Sequence, residues 1–310
     1  MKAIVYEKYG EAAVLKLREV EKPAPKKDEV LIKIIATSVS AADWRLRKAD
    51  PFLARIFNGL FKPKKVKILG AELSGIVEEI GQNVKSFKKG DSVFAYSIPK
   101  FGGYAEYTCF KEKDLIAPKP SNMSFEEAAT TPLGSLTALI LLRKAKISSQ
   151  KKVMIYGASG SVGTFAVQLA KYFGAEVTAV CSTKNIDLVK SLGADNVIDY
   201  TNTDISTLNA PFDIVFDAVG KLSKSQYSKT LHTNGNVVSV KSQTRPSKDD
   251  LLFIKNVVES GGLFSFIDRS YQIEDIREAH LYAEQFRKRG NVAVSVFSAN
   301  NYTLNQTSVV

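Results

Sequence analysis

Apolar positions follow two rhythms along this chain. Through roughly the first hundred residues they form short runs or alternate with polar positions, at 3–6, 15–20, 29–37, 75–80, 92–96 and 104–110, a pattern that predicts strands. Pro23-Ala24-Pro25 and Lys89-Gly90-Asp91 mark turns between them, and residues 43–48 read as a short helix capped near Ser40.

From Ser124 the rhythm changes to helix alternating with strand. Ser124-Phe125-Glu126-Glu127 has the spacing of a capping box, and a helix is expected over 135–146. Strands are predicted at 153–156, 176–180, 196–198, 214–216 and 236–240, with helices at 164–173, 185–192 and 222–231 between them. Strands separated by helices of this length imply a parallel, doubly wound sheet. The last segment carries an amphipathic helix at 273–287, a closing strand at 292–297 and a polar tail over 300–310. The fold class is α/β: a β-rich part, then a parallel-sheet part.

At 310 residues the chain is long enough for two domains. No apolar run is long enough to span a bilayer, and the start, Met1-Lys2-Ala3-Ile4-Val5-Tyr6, reads as a strand rather than a signal peptide. Cys109 and Cys181 are too few and too far apart for a disulfide framework or a four-cysteine metal site, and suit a reduced, cytoplasmic compartment. The net charge of +11 comes from lysines spread along the chain, not from one basic helix, so no nucleic-acid or membrane partner is expected.

One segment carries explicit chemistry. The apolar run ending at Tyr156 leads into Gly157-Ala158-Ser159-Gly160-Ser161-Val162-Gly163 and then into a helix, the order of a dinucleotide-binding turn. Glycine lets the backbone approach a pyrophosphate, whose charge a helix N-terminus favours. After the next strand, where an NAD site places a carboxylate on the ribose, the chain has Cys181-Ser182-Thr183-Lys184-Asn185. A serine hydroxyl and a lysine ammonium suit a 2′-phosphate, so Ser182 and Lys184 point to NADP(H).

With these motifs the chain resembles the medium-chain dehydrogenase/reductase superfamily on its zinc-independent quinone oxidoreductase branch. The resemblance also rests on Ser40-Ala41-Ala42-Asp43-Trp44, on Gly70 to Val77, on Lys89 to Phe94 and on Gly102-Gly103-Tyr104-Ala105-Glu106-Tyr107. Ser191 to Tyr200, Phe212 to Gly220, Ile267 to Tyr271 and Glu278-Ala279-His280 extend it over nearly the whole length. It implies a GroES-like β-rich domain (1–120), a Rossmann NADP-binding domain (121–265), a C-terminal return (266–310) and an active site in the cleft between domains. The implied activity is NADPH-dependent hydride transfer to a quinone, enone or other activated carbonyl; a non-catalytic NADPH-binding sensor or structural protein is the alternative.

The resemblance places cofactor contacts at Thr137, Ser159, Gly160, Ser161, Val162, Tyr200, Gly220 and Val240, beside Ser182 and Lys184. Zinc-dependent members of the superfamily hold a metal with Cys and His; here Ser40 or its neighbours, and Ala71, stand at those places, so no metal is expected. Ser40, Tyr96 and Tyr104 are then the candidate donors to the developing oxyanion, while Asp43 is expected to hold its loop and Trp44 to pack. After Val240 the chain runs directly toward a helix, without the further helix and strand by which many relatives join sheets across a dimer. A homodimer is therefore expected to be weakened.

Overall fold

A computed structural model describes residues 1–207 and 211–297, which fold as two units: residues 1–132 with the return from Ile267, and residues 133–266. The tail expected over 300–310 lies outside the described residues. In chain order the first unit holds strands β1 (Lys2–Val5), β2 (Lys16–Glu19) and β3 (Glu29–Ser38), and helices α1 (Ala41–Lys48) and α2 (Leu53–Asn58). Strands β4 (Glu72–Ile80), β5 (Ser92–Tyr96), β6 (Tyr107–Lys111) and β7 (Ile116–Pro118) follow, with helix α3 (Phe125–Ala129). Next come helix α4 (Pro132–Lys144), strand β8 (Lys152–Tyr156), helix α5 (Ser161–Tyr172), strand β9 (Glu176–Cys181), helix α6 (Ile186–Ser191) and strands β10 (Asn196–Asp199) and β11 (Phe212–Asp217). Helix α7 (Lys224–Tyr227), strand β12 (Leu231–Ser239) and helix α8 (Lys248–Glu259) lead to the return: strand β13 (Ile267–Gln272), helix α9 (Ile276–Glu284) and strand β14 (Asn291–Ser295).

The first unit is built on β3, a nearly continuous apolar strand buried along its length. One edge of β3 pairs antiparallel with β4, which continues to β5 and β7; the other edge is shared by β6 along Glu29 to Lys33 and by β14 along Ala36 to Ser38. The return thus completes the sheet of the first unit. Ser124 caps α3 as its spacing implies, accepting from Glu127 N–H at 3.1 Å while Glu127 accepts from Ser124 N–H at 2.8 Å.

In the second unit the strand order is β10-β9-β8-β11-β12, all parallel. The central strands are apolar on both faces (Val153, Met154, Ile155; Val177, Ala179, Val180; Ile214, Val215, Phe216 are all buried), as helix-covered parallel strands must be. A mixed α/β protein with a GroES-like β-rich part and a Rossmann-type parallel sheet is what these pairings amount to.

Three expectations change. The helix expected over 222–231 is only the single turn α7, because Leu231 already pairs with Phe212 and begins β12. His232, which directly follows the helix predicted over 222–231 and so would have stood at its end, consequently lies exposed on a strand. The strand expected over 104–110 begins at Tyr107, since residues 102–104 instead close onto the loop before β4: Gly103 N–H reaches Gly70 O at 3.1 Å and Tyr104 N–H reaches Leu69 O at 2.9 Å. Gly70 sits at φ +98°, and a side chain there would run into the Gly103 backbone, so this contact needs glycine.

Candidate functional site

The glycine turn takes the strand–turn–helix geometry that its sequence implies. Gly157 leaves β8 at φ +78°, where a side chain would strike Val219, and Gly160 stands at the N-cap of α5 with no side chain to cap it. The first-turn amides of a helix have no intrahelical acceptor, so an uncapped, glycine-lined start suits an anionic group. Gly163 lies against the Gly157 carbonyl so closely that an added methyl would overlap it, which brings α5 tightly onto the strand. Ser159, Gly160, Ser161 and Val162 are all half-buried at this corner.

A residue to which the sequence reading gave no role joins this corner to the end of β9. Asn185 is buried, and its Nδ2 donates to Ser159 Oγ at 3.0 Å and to Ser182 Oγ at 3.1 Å. Its Oδ1 is buried without a hydrogen-bond partner among the described residues. The signal that could have shown it is its type and place: a polar side chain of no helix-forming merit, four residues after the strand, opening a helix. Lys184 is exposed on the adjoining 3₁₀ turn and forms no ion pair among the described residues. A carboxylate does approach from the neighbouring strand: Asp199 accepts from Thr183 Oγ1 at 2.5 Å and from Thr201 Oγ1 at 2.6 Å, bonds that hold it below the usual carboxylate range. Tyr200 is half exposed, its ring centroid 6.5 Å from that of Tyr156.

Gly220 and Val240 are gathered by a second residue the sequence reading passed over. Asp217, buried at the end of β11, accepts from the N–H groups of Val219 (3.0 Å), Gly220 (2.7 Å) and Leu222 (3.1 Å), and from Ser239 Oγ at 3.2 Å. Val240 N–H donates to the Asp217 carbonyl at 3.0 Å. One carboxylate thereby shapes the loop that packs on Gly157. Thr137, half-buried on α4, turns its hydroxyl back to Leu133 O at 2.7 Å.

In the first unit the three candidate donors separate. Tyr104 is fully buried, and its hydroxyl shares a hydrogen bond with His280 Nε2 at 3.1 Å, so it is corrected from candidate donor to core residue. Burial pushes its phenol well above the ordinary range. Ser40, 8% exposed, gives its proton to Asp43 Oδ2, which also accepts from Ser40 N–H at 2.9 Å, while Asp43 Oδ1 accepts from Gly70 N–H at 2.8 Å. Asp43 therefore ties the α1 corner to the Gly70 loop. Its burial, opposed by these bonds, lifts the carboxyl to about 6. Trp44 packs edge-on against Phe286 at 5.4 Å. Tyr96, half-buried at the end of β5, has no partner for its hydroxyl among the described residues; burial, then the charge of Glu72, pushes it up to about 12.

Metal donors are dispersed. Cys109 and Cys181 are buried in β6 and β9, His280 is in the core of the first unit and His232 is on the surface of the second. Among the described residues no three His, Cys, Asp or Glu side chains cluster to hold a metal ion.

Residues 26–121 match the family described as alcohol dehydrogenase GroES-like domain, and residues 161–265 the one described as zinc-binding dehydrogenase. A 2-methylene-furan-3-one reductase of Solanum lycopersicum is 38% identical over 95% of this chain and 79% of its own. The chain belongs to the medium-chain dehydrogenase/reductase superfamily, in its quinone-oxidoreductase-like group. Another member, a chloroplastic NADPH-dependent alkenal/one oxidoreductase of Arabidopsis thaliana, is 35% identical with the same coverage. The solved structure of a quinone oxidoreductase from Coxiella burnetii superposes with a TM-score of 0.85 at 30% identity, covering 96% of this chain and 99% of that one. Superfamily membership accounts for the GroES-like and Rossmann-type units. No helix among the described residues is long and apolar enough to cross a membrane.

Proposed function

We propose that this chain is an NADPH-dependent reductase that delivers hydride to a quinone, enone or other activated carbonyl acceptor without a metal. The observation that carries the cofactor reading is the Asn185 bridge, which sets the hydroxyls of Ser159 and Ser182 on one amide beside the exposed Lys184. One end of that bridge lies at the pyrophosphate turn and the other where a 2′-phosphate would be met. Relatives named as a 2-methylene-furan-3-one reductase, an NADPH-dependent alkenal/one oxidoreductase and a quinone-oxidoreductase support the acceptor class.

The nicotinamide, when bound, supplies the hydride. The protein's part is to hold and orient. The uncapped start of α5 and Ser159 to Val162 receive the pyrophosphate; Ser182 and Lys184 receive the 2′-phosphate; Tyr200 packs near the adenosine side. The Asp217 loop places Gly220 and Val240 toward the nicotinamide half, with Thr137. Positioning of this kind lowers a barrier by several kcal/mol. Of the original donors, Tyr96 alone combines partial exposure with an uncommitted, protonated hydroxyl, and it is assigned to the developing oxyanion. The dispersed cysteines and histidines support the metal-free reading.

Turnover of NADPH with a panel of quinones, enones and aldehydes, with NADH in parallel, tests the proposal. Oxidation of NADPH in preference to NADH is expected. Tight NADPH binding without turnover across the panel would instead mark a sensor or structural protein. In the same reading the short connection after Val240 leaves a homodimer weakened, and light scattering at rising concentration measures that.

A further inference from the structure

The segment 51–67 combines two features that sit poorly with ordinary solvent. Six apolar side chains in ten positions face outward: Phe52, Leu53, Ile56 and Phe61 are 64, 68, 68 and 86% exposed, with Phe57 and Leu60 beside them. Scattered exposed apolar residues are ordinary, but a contiguous set around one short helix marks a binding surface. The same segment carries Arg55, Lys62, Lys64, Lys65 and Lys67 and no carboxylate. The four lysines are exposed, and Lys65 Nζ lies 5.1 Å from the Phe57 ring centroid.

The outward display is held in place. Asn58 is fully buried at the foot of the segment, donating to Tyr6 OH at 2.7 Å and Val66 O at 3.2 Å and accepting from Val66 N–H at 2.7 Å. Tyr9 OH donates to Gly59 O at 2.7 Å, and Arg55 lies over the Tyr9 ring while reaching Leu60 O at 3.2 Å. These bonds hold the backbone on either side of Phe57 and Phe61, whose side chains are exposed.

We propose that this segment docks the protein on an anionic lipid surface, its aromatic and aliphatic tip in the headgroup–acyl boundary and its cations against acidic headgroups. Apolar side chains flanked by Lys and Arg are the composition of an interfacial anchor, and anionic leaflets attract such clusters. An uncharged acceptor molecule would satisfy the apolar residues and leave five cations without a counter-charge; a bilayer with acidic lipids meets both needs. The sequence reading, which expected no membrane partner, took the lysines as ordinary solvated charge because side-chain direction cannot be seen in a short loop.

The test is sedimentation of the full chain with vesicles of phosphatidylcholine alone or mixed with phosphatidylglycerol, at low and high salt. Binding to the mixed vesicles, weakened by salt, is expected. A Phe52→Ser/Phe61→Ser variant and a Lys62→Glu/Lys64→Glu/Lys65→Glu variant should each lose at least about tenfold in that binding, with unfolding transitions unchanged because the altered side chains are exposed. Absence of binding to the mixed vesicles, or equal binding to both kinds, overturns the proposal. So does either of two results obtained without vesicle binding. One is a raised KM for apolar acceptors in the Phe variant, which would make the tip a substrate cover. The other is a concentration-dependent dimer abolished in that variant, which would make it a self-association face.

Discussion

Asn185 Nδ2 holds Ser159 Oγ at 3.0 Å, fastening the glycine turn after one strand to the 3₁₀ turn after the next. Its other hydrogen bond reaches Ser182. Asn185→Leu removes both. At about 1 kcal/mol for each bond, about 2 kcal/mol for the pair, NADPH affinity should fall roughly thirtyfold. Fluorescence titration of NADPH checks this, with a thermal melt to show that the fold survives. An unchanged Kd would remove Asn185 from the site.

Lys184 gives the cofactor preference its sharpest test. Lys184→Ala should raise the Michaelis constant for NADPH about tenfold and leave that for NADH nearly unchanged, since only the 2′-phosphate meets the ammonium. Equal effects on both cofactors would refute the assignment.

Tyr96 and Ser40 should behave differently when their hydroxyls are removed. Tyr96→Phe keeps the ring and should lower kcat by about a hundredfold with little change in KM, the loss of an oxyanion donor. Its phenol, lifted to about 12, stays protonated through the ordinary range, so no alkaline limb in the wild-type pH profile should come from it. Ser40→Ala should act mainly on stability, because that hydroxyl serves Asp43. A Tyr96→Phe variant with full kcat would leave the oxyanion to solvent.

Two buried groups in the first unit titrate with opposite consequences. Burial, then the charge of Arg47, holds the His280 imidazole well below its ordinary value near 6.5, so the folded state binds fewer protons than the unfolded one and stability falls as pH drops below about 6.5. Asp43, lifted to about 6, works the other way: the folded state binds more protons between about 4 and 6, and that contribution is lost as pH rises across this window. Denaturant unfolding at about pH 5 and about pH 7.5 should show a smaller acid loss in His280→Phe than in the wild type. An identical difference between the two pH values in both proteins would show that His280 does not set the acid limb.

Local pattern alone identified much of this protein. The strand, glycine turn and helix around Gly157, the capping box at Ser124, the alternation of parallel strands with helices and the lack of a carboxylate after Val180 are all relations between residues a few positions apart, where backbone geometry leaves few choices. What tertiary structure decided is which side chains meet across long separations. Tyr104 finds His280 at a separation of 176 residues and is withdrawn into the core; Asn185 reaches Ser159 across 26 residues and so joins the candidate site. Asp217 turns to the amides of its own loop, and the apolar tip of segment 51–67 faces outward because Asn58 pins its foot to Tyr6. Such pairings depend on how chain crossings bring hydrogen-bonding groups together and bury them, and a polar group hidden from water must take the partner the fold delivers, so its role is set by packing and not by its neighbours in sequence.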